Sequence, residues 1–253
     1  MRGRVLVSSL GVLIVATFSV RPASAQITPV VTPFEAALIC GPQPDTKPPA
    51  ADALTIRGAQ DSRPRAMFSQ RDLLVIDGGT GAGVQLGQEF LVRRGIRFGM
   101  PYGVTPTRAS TVAWIRIVAV NDTTAIASVQ HACDAILRDD YLDPFVMPKP
   151  PLGVERDDPV GELDFTNLSR VISGAESRAM GGVGDLMLMD RGSDQGVLAG
   201  ARFAVYRDLH VGGMPLSSIG EAVVVTAGVE TSVVRLTRTR DAVQSGDYLV
   251  PRK

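Results

Sequence analysis

Residues 72–94 read DLLVIDGGTGAGVQLGQEFLVRR, and residues 185–207 read DLMLMDRGSDQGVLAGARFAVYR. At a constant offset of 113, Asp72 aligns with Asp185, Leu73 with Leu186, Asp77 with Asp190 and Gly79 with Gly192. Gly83 then falls on Gly196, Val84 on Val197, Gly87 on Gly200, Phe90 on Phe203 and Val92 on Val205. Ungapped agreement of this kind marks an internal repeat, and the repeat decides the fold. Each half opens with a brief apolar run, Leu73 to Ile76 or Leu186 to Met189, ended by Asp-x-Gly. That tripeptide is a turn, because glycine adopts positive φ at little steric cost. Phe90 and Val92, like Phe203 and Val205, alternate with less apolar neighbours, as a strand with one buried face does.

Working outward, Ile56-Arg57-Gly58-Ala59 matches Ile172-Ser173-Gly174-Ala175 upstream, and DAILRDDYLDP from Asp134 matches DAVQSGDYLVP from Asp241 downstream. Between these lie β-rich stretches at Thr111 to Val120 and Ala222 to Thr226, then at Ala125 to Gln130 and Ser232 to Thr237. Asn121-Asp122 and Ala227-Gly228 break them as hairpin turns. Five or six strands per copy with almost no helical periodicity predict an all-β chain of two tandem, small, SH3-like β-barrels produced by internal duplication. Closure into a barrel would remove the open edges that invite association. The copies span 53–145 and 169–253.

Residues 146–168 form a proline-rich acidic linker, within a stretch that carries five prolines from Pro144 to Pro159 and favours an extended, semi-rigid connector. Residues 26–52 form an N-terminal extension. In it, Thr32-Pro33-Phe34-Glu35 supplies a capping residue, proline at the first helical position and glutamate at the third, and Gly41 is placed to stop the helix. A short helix over 33–40 carrying Cys40 follows.

Residues 1–25 have the three parts of a secretory signal: Arg2 and Arg4, an apolar run from Val5 to Val20, and Ala23-Ser24-Ala25 at an A-x-A cleavage site. The run is shorter than the ~20 residues that cross a bilayer as a helix, and Ile39 before Cys40 is too bulky for a lipid-attachment box. A periplasmic or secreted product with no membrane span is expected. Of the 26 basic residues, three lie in residues 1–25, which leaves 23 against 26 acidic residues, a net charge of −3. That balance, with 5% aromatic residues, argues against nucleic acid as a partner. Two cysteines in an exported chain predict one disulfide, Cys40 to Cys133, the alternative being a pair of buried free thiols. Arg240 stands where copy two would carry the counterpart of Cys133, so the bridge would pin the extension onto copy one.

The spacing D-x-x-x-x-D-x-G-x-x-x-G-V-x-x-G-x-x-F-x-V-x-R, then Pro101 or Pro215, Ile219-Gly220-Glu221 and a closing Gly246-Asp247-Tyr248-Leu249 resembles a module of bacterial envelope proteins. It is similar to the β-module found C-terminal to LysM peptidoglycan-binding repeats and, more distantly, to the C-terminal domain of flagellar assembly protein T. The resemblance covers residues 53–253 and implies a cell-envelope setting; the chain contains no LysM repeat. It transfers no catalytic residue.

Asp190, Asp194 and their loop offer oxygen ligands to a hard cation, but Gly81 replaces the second acid in copy one, so a turn with aspartates bonded to their own backbone is the stronger reading. No lysine and hydroxyl follow the glycines as in a phosphate loop. His131 beside Cys133 invites a nucleophile pair, yet a disulfide consumes the thiol. His210 reads as a solvated loop residue, Arg93, Arg94 and Arg97 as a solvated strand end or a surface for an acidic partner, and Trp114 as core. No enzyme activity, catalytic residue, metal or cofactor is expected. The function expected is an interaction scaffold or adaptor with an envelope protein as partner, the alternative being a peptidoglycan or carbohydrate binder.

Overall fold

The computed structural model describes residues 31–45, 49–61, 64–97, 107–154, 156 and 158–253, and the signal sequence with its cleavage site lies outside the described residues. Thr32 caps the helix α1 (Pro33–Cys40): its hydroxyl accepts from the Glu35 N–H at 3.2 Å, while the Glu35 carboxylate accepts from the Thr32 N–H at 2.8 Å. The cap anticipated from the sequence forms, with proline in the first turn and Gly41 at the end.

The first module contains β1 (Ile56–Ala59), β2 (Met67–Phe68), β3 (Leu73–Ile76), β4 (Glu89–Arg97), β5 (Thr107–Val120), β6 (Ala125–Ala132), β7 (Ile136–Leu137) and β8 (Tyr141–Pro144). The second contains β9 (Ser169–Gly174), β10 (Met180–Gly181), β11 (Leu186–Met189), β12 (Arg202–Arg207), β13 (Ser217–Ala227), β14 (Ser232–Thr239), β15 (Val243–Gln244) and β16 (Tyr248–Pro251). Among the described residues the chain is all-β apart from α1 and short 3-10 turns.

The strand order of the first sheet, β1-β3-β6-β5-β4-β8, is repeated in the second module as β9-β11-β14-β13-β12-β16, which closes into a barrel. Closure in the second module runs through pairing of β16 with β9. In the first, the sheet ends meet through the Ile56 N–H to the Asp140 carbonyl, the Asp139 N–H to the Ile56 carbonyl and the Leu142 N–H to the Leu54 carbonyl. The two-residue strands pair across one end of each module, β2 with β7 and β10 with β15.

Register corrects one alignment. β1 sets Ile56 opposite Ile76, and β9 sets Val171 opposite Met189, so the counterpart of Ile56 is Val171 and not Ile172. The reason is burial: Ile56 and Val171 both enter barrel interiors, and a slip of one residue turns every side chain of a strand to the other face. Each interior is filled from its own module, the first by residues such as Leu74, Ile76, Phe90, Ile115 and Leu142, the second by Met187, Met189, Phe203, Val224 and Leu249.

The repeat glycines have separate reasons. Gly83 and Gly196 end the 3-10 turns at φ +78° and +80°, a conformation that side chains with a Cβ rarely adopt, and Gly87 and Gly200 follow with positive φ of their own. Gly79 and Gly192 correct the expectation of positive φ in the Asp-x-Gly turns: their φ values are −126° and −132°, and they lie against the backbones of Asn121-Asp122 and Gly228-Val229, where a Cβ has no room.

Candidate functional site

Helix α1 belongs to neither barrel, and its place defines the junction between them. Its last residue is bonded to the first module, with the Cys40 and Cys133 Cα atoms 5.4 Å apart. Its Leu38 is buried against the second module, in a cluster with Leu186, Leu188, Val223, Val225 and Val233. These five project from the outer face of the second barrel, and Val154 of the linker joins them. Phe34 packs at the edge of the cluster, with the Arg235 guanidinium 5.1 Å from its ring centre. The disulfide anticipated from the sequence forms, and the structure extends its role: it pins the extension onto copy one while copy two receives the helix. At Gly41 a Cβ would sit 2.8 Å from the backbone carbonyl oxygen of Ala37 as well as 2.7 Å from Leu186 Cδ1, so the turn after the helix needs glycine for proximity.

The extension continues past α1 onto the same barrel. The Asp45 N–H donates to Thr231 Oγ1 at 2.9 Å, and its carboxylate accepts from the N–H groups of Val229, Glu230 at 3.0 Å and Thr231 at 2.9 Å. Burial raises the Asp45 carboxyl, but these donors outweigh it and hold the group below the ordinary carboxylate range. A depressed folded-state value contributes stability above the ordinary carboxyl range, which is lost as pH falls through the folded value. Asp45→Ala is therefore expected to cost roughly 1 kcal/mol at neutral pH, since the turn is partly solvated. The difference from the parent chain should narrow below about pH 4, as compared by urea midpoints at each pH.

The linker is likewise fastened to the second module. Arg202 donates to the carbonyls of Arg156 and Gly153, Arg235 donates to the Val154 carbonyl, and Glu162 exchanges backbone hydrogen bonds with Lys253. Between extension, linker and second barrel lies a cleft of about 530 Å³ bordered by Leu38, Pro42, Pro44, Val146, Leu186 and Val233.

Superposing the ladders brings out an asymmetry. Leu73 and Arg116 both face Ser128 in the first module, as Leu186 and Val223 both face Arg235 in the second. Val75 faces Ile126 as Leu188 faces Val233. The Ile117 carbonyl accepts from Gly87 as that of Val224 accepts from Gly200, which makes Val118 the counterpart of Val225. The face that α1 covers on the second barrel thus corresponds to Leu73, Val75, Arg116, Val118 and Ile126 on the first. There Leu73 is 41% and Val118 44% exposed, whereas Leu186 and Val225 are 6% and 2% exposed. Arg116 bonds Glu89, its cross-strand neighbour, at 2.8 Å from Nε to Oε1.

Two of the arginines flagged in the sequence, Arg93 and Arg94, are engaged internally. Arg94 donates through Nε and Nη2 to both oxygens of buried Asp140, and also to Asp134 and to the Ala135 carbonyl. Arg207 makes the same four contacts, to Asp247, Asp241 and the Ala242 carbonyl. Arg93 is buried, with Nη1 2.6 Å from Thr111 Oγ1 and Nε 3.3 Å from Asp143. The reading of Arg93 and Arg94 as a solvated strand end is therefore corrected: barrel closure brings acids from β8 and the turns before it onto their strand. The Arg97 side chain lies outside the described residues.

The aspartate expectation also changes in detail. Asp72 and Asp185 do bond their own turns, accepting from the N–H groups of Ser69 and Gly182 at 2.8 Å. Asp77 and Asp190 accept instead from Thr55 at 2.6 Å and Arg170 at 2.7 Å, at the start of the first strand of each module. Asp194 accepts from the Gln195 amide. His210 is exposed at positive φ, its Nδ1 3.0 Å from the Asp208 carbonyl. Trp114 is 2% exposed, but it sits outside the barrel interior, stacked on Phe145 at 4.6 Å and opposite His131 in the ladder.

Compared with family models and with curated proteins, the chain matches none.

Proposed function

We propose that this chain is exported to the periplasm and serves as a non-enzymatic scaffold or adaptor in the cell envelope, docking an envelope protein on the outer face of its first barrel. The observation that carries this reading is the asymmetry between modules: the same face is closed by α1 on one barrel and presents Leu73 and Val118 to solvent on the other. Exposed apolar side chains gathered on one sheet face are a mark of interaction surfaces. The disulfide supports an oxidising compartment. The shared strand order and the matching Arg94 and Arg207 contacts support descent of the modules from one duplicated ancestor.

Two measurements test the reading. A photocrosslinking side chain at Val118 is expected to capture an envelope protein, whereas one at Leu152, exposed on the linker, is expected not to. The purified chain is expected to stay in solution when mixed with isolated sacculi. Retention on bare peptidoglycan would replace the scaffold with a peptidoglycan binder.

A further inference from the structure

Three metal-ligating side chains converge at the junction. Cys40 ends α1, while His131 and Cys133 lie two residues apart at the end of β6, so the two β6-side groups leave the sheet on the same side. The Sγ atoms and an imidazole nitrogen all lie within 4.8 Å of one another, and all three residues are half-buried. A crevice of about 130 Å³ borders Cys40 on its side of the cluster. Together these give a ligand set held on a rigid frame of two elements and only partly covered from solvent.

We propose that Cys40, Cys133 and His131 form a zinc-class metal site when the disulfide is reduced, so that the junction has two alternative clips. Reduction by a dithiol transfers two electrons and two protons to the bridge: the S–S bond breaks, two thiols form, and the dithiol closes to its own disulfide. Binding of Zn²⁺ then displaces both thiol protons, and the metal takes two thiolates, the neutral imidazole and one water. Zn–S bonds of about 2.3 Å and Zn–N bonds of about 2.0 Å suit ligand atoms that are already this close, needing only that the sulfurs part by rotamer adjustment. Thiolate and imidazole donors favour a soft or borderline cation over calcium or magnesium. Three protein ligands leave the fourth position open. The same two elements that the disulfide joins, α1 and the end of β6, would be held by the metal.

The test uses the full exported chain, reduced with a non-chelating phosphine and titrated anaerobically with Co²⁺ and then Zn²⁺. The expected result is one Co²⁺ per chain with thiolate-to-cobalt charge-transfer absorption and the visible bands of a tetrahedral site, bleached by Zn²⁺. Trp114, the single tryptophan, is the cross-strand neighbour of His131 and should be quenched by bound Co²⁺. His131→Ala, with its oxidised fold confirmed by circular dichroism, is expected to weaken Zn²⁺ binding by at least about tenfold, and Cys133→Ser is expected to abolish the charge-transfer band. Unchanged affinity in His131→Ala would reduce the site to an adventitious dithiol chelate and overturn the proposal. Equal binding by the oxidised chain, or unfolding of the reduced chain that metal does not reverse, would overturn it as well.

Discussion

The double substitution Cys40→Ser with Cys133→Ser is expected to lower the stability of the chain by up to ~4 to 5 kcal/mol, the chain-entropy value for a loop of this length. The cysteines are 93 residues apart, so the bridge removes many conformations from the unfolded ensemble. The loss should be uneven. The second barrel keeps its closed ladder and its own interior, whereas the first loses the cross-link that holds the end of α1 against Cys133. Trp114, which stacks on Phe145 beside that tie, is therefore expected to report an earlier transition than far-ultraviolet circular dichroism. Coincident transitions with an unchanged urea midpoint would show that packing alone seats the helix. Leu38→Ala provides the converse measurement: it leaves the bridge intact, removes a buried side chain from the second barrel's outer face, and is expected to cost about 2 to 5 kcal/mol.

An effect of similar size is expected from Arg207→Met. Asp247 is 5% exposed, and Arg207 gives it two parallel hydrogen bonds while also holding Asp241 and the Ala242 carbonyl. The methionine keeps the volume but leaves a buried carboxylate whose remaining donor is the Gln244 N–H at 2.6 Å. Breaking a buried pair from one side costs about 3 to 5 kcal/mol, most of it the uncompensated charge. Asp247→Asn in the Arg207→Met background should recover part of the loss by removing that charge, which makes a double-mutant cycle the decisive measurement. Arg94→Met with Asp140→Asn should repeat the pattern in the first module, where the contacts are the same. If the single Arg207 substitution left the denaturation midpoint within about 0.5 kcal/mol of the parent, the network would be ornament on a barrel closed by its backbone ladder alone.

Much of this architecture was legible in the residues. Turn glycines at 83 and 87 and their copies, the apolar runs at 73–76 and 186–189, and the Thr32-Pro33-Phe34-Glu35 cap act locally, and local rules read them correctly, whereas Gly79 and Gly192 answer to backbone about forty residues away. The disulfide was accessible because only two cysteines exist. What stayed hidden depends on which outer face is covered. Leu186 to Met189 is buried throughout, while its counterpart Leu73 to Ile76 alternates. The unbroken run Ala222 to Val225 carried the signal that a second layer lies on that strand. Aligning Ile56 with Ile172 followed residue identity, and the structure instead follows side-chain direction. The arginine networks were missed because Arg94 and Arg207 repeat at one spacing and their aspartates at another, so the pairing emerges only when each barrel closes.

The seating of α1 also orders assembly in time. Asp45 and Thr231 are 186 residues apart, and the helix packs on Val233, so an extension that emerges near the start of the chain finds its berth only when β14 has been made. Cys133 is available long before that. The covalent tether can therefore close around a helix that has as yet nothing to lie on, holding it beside the first barrel until the second one folds beneath it.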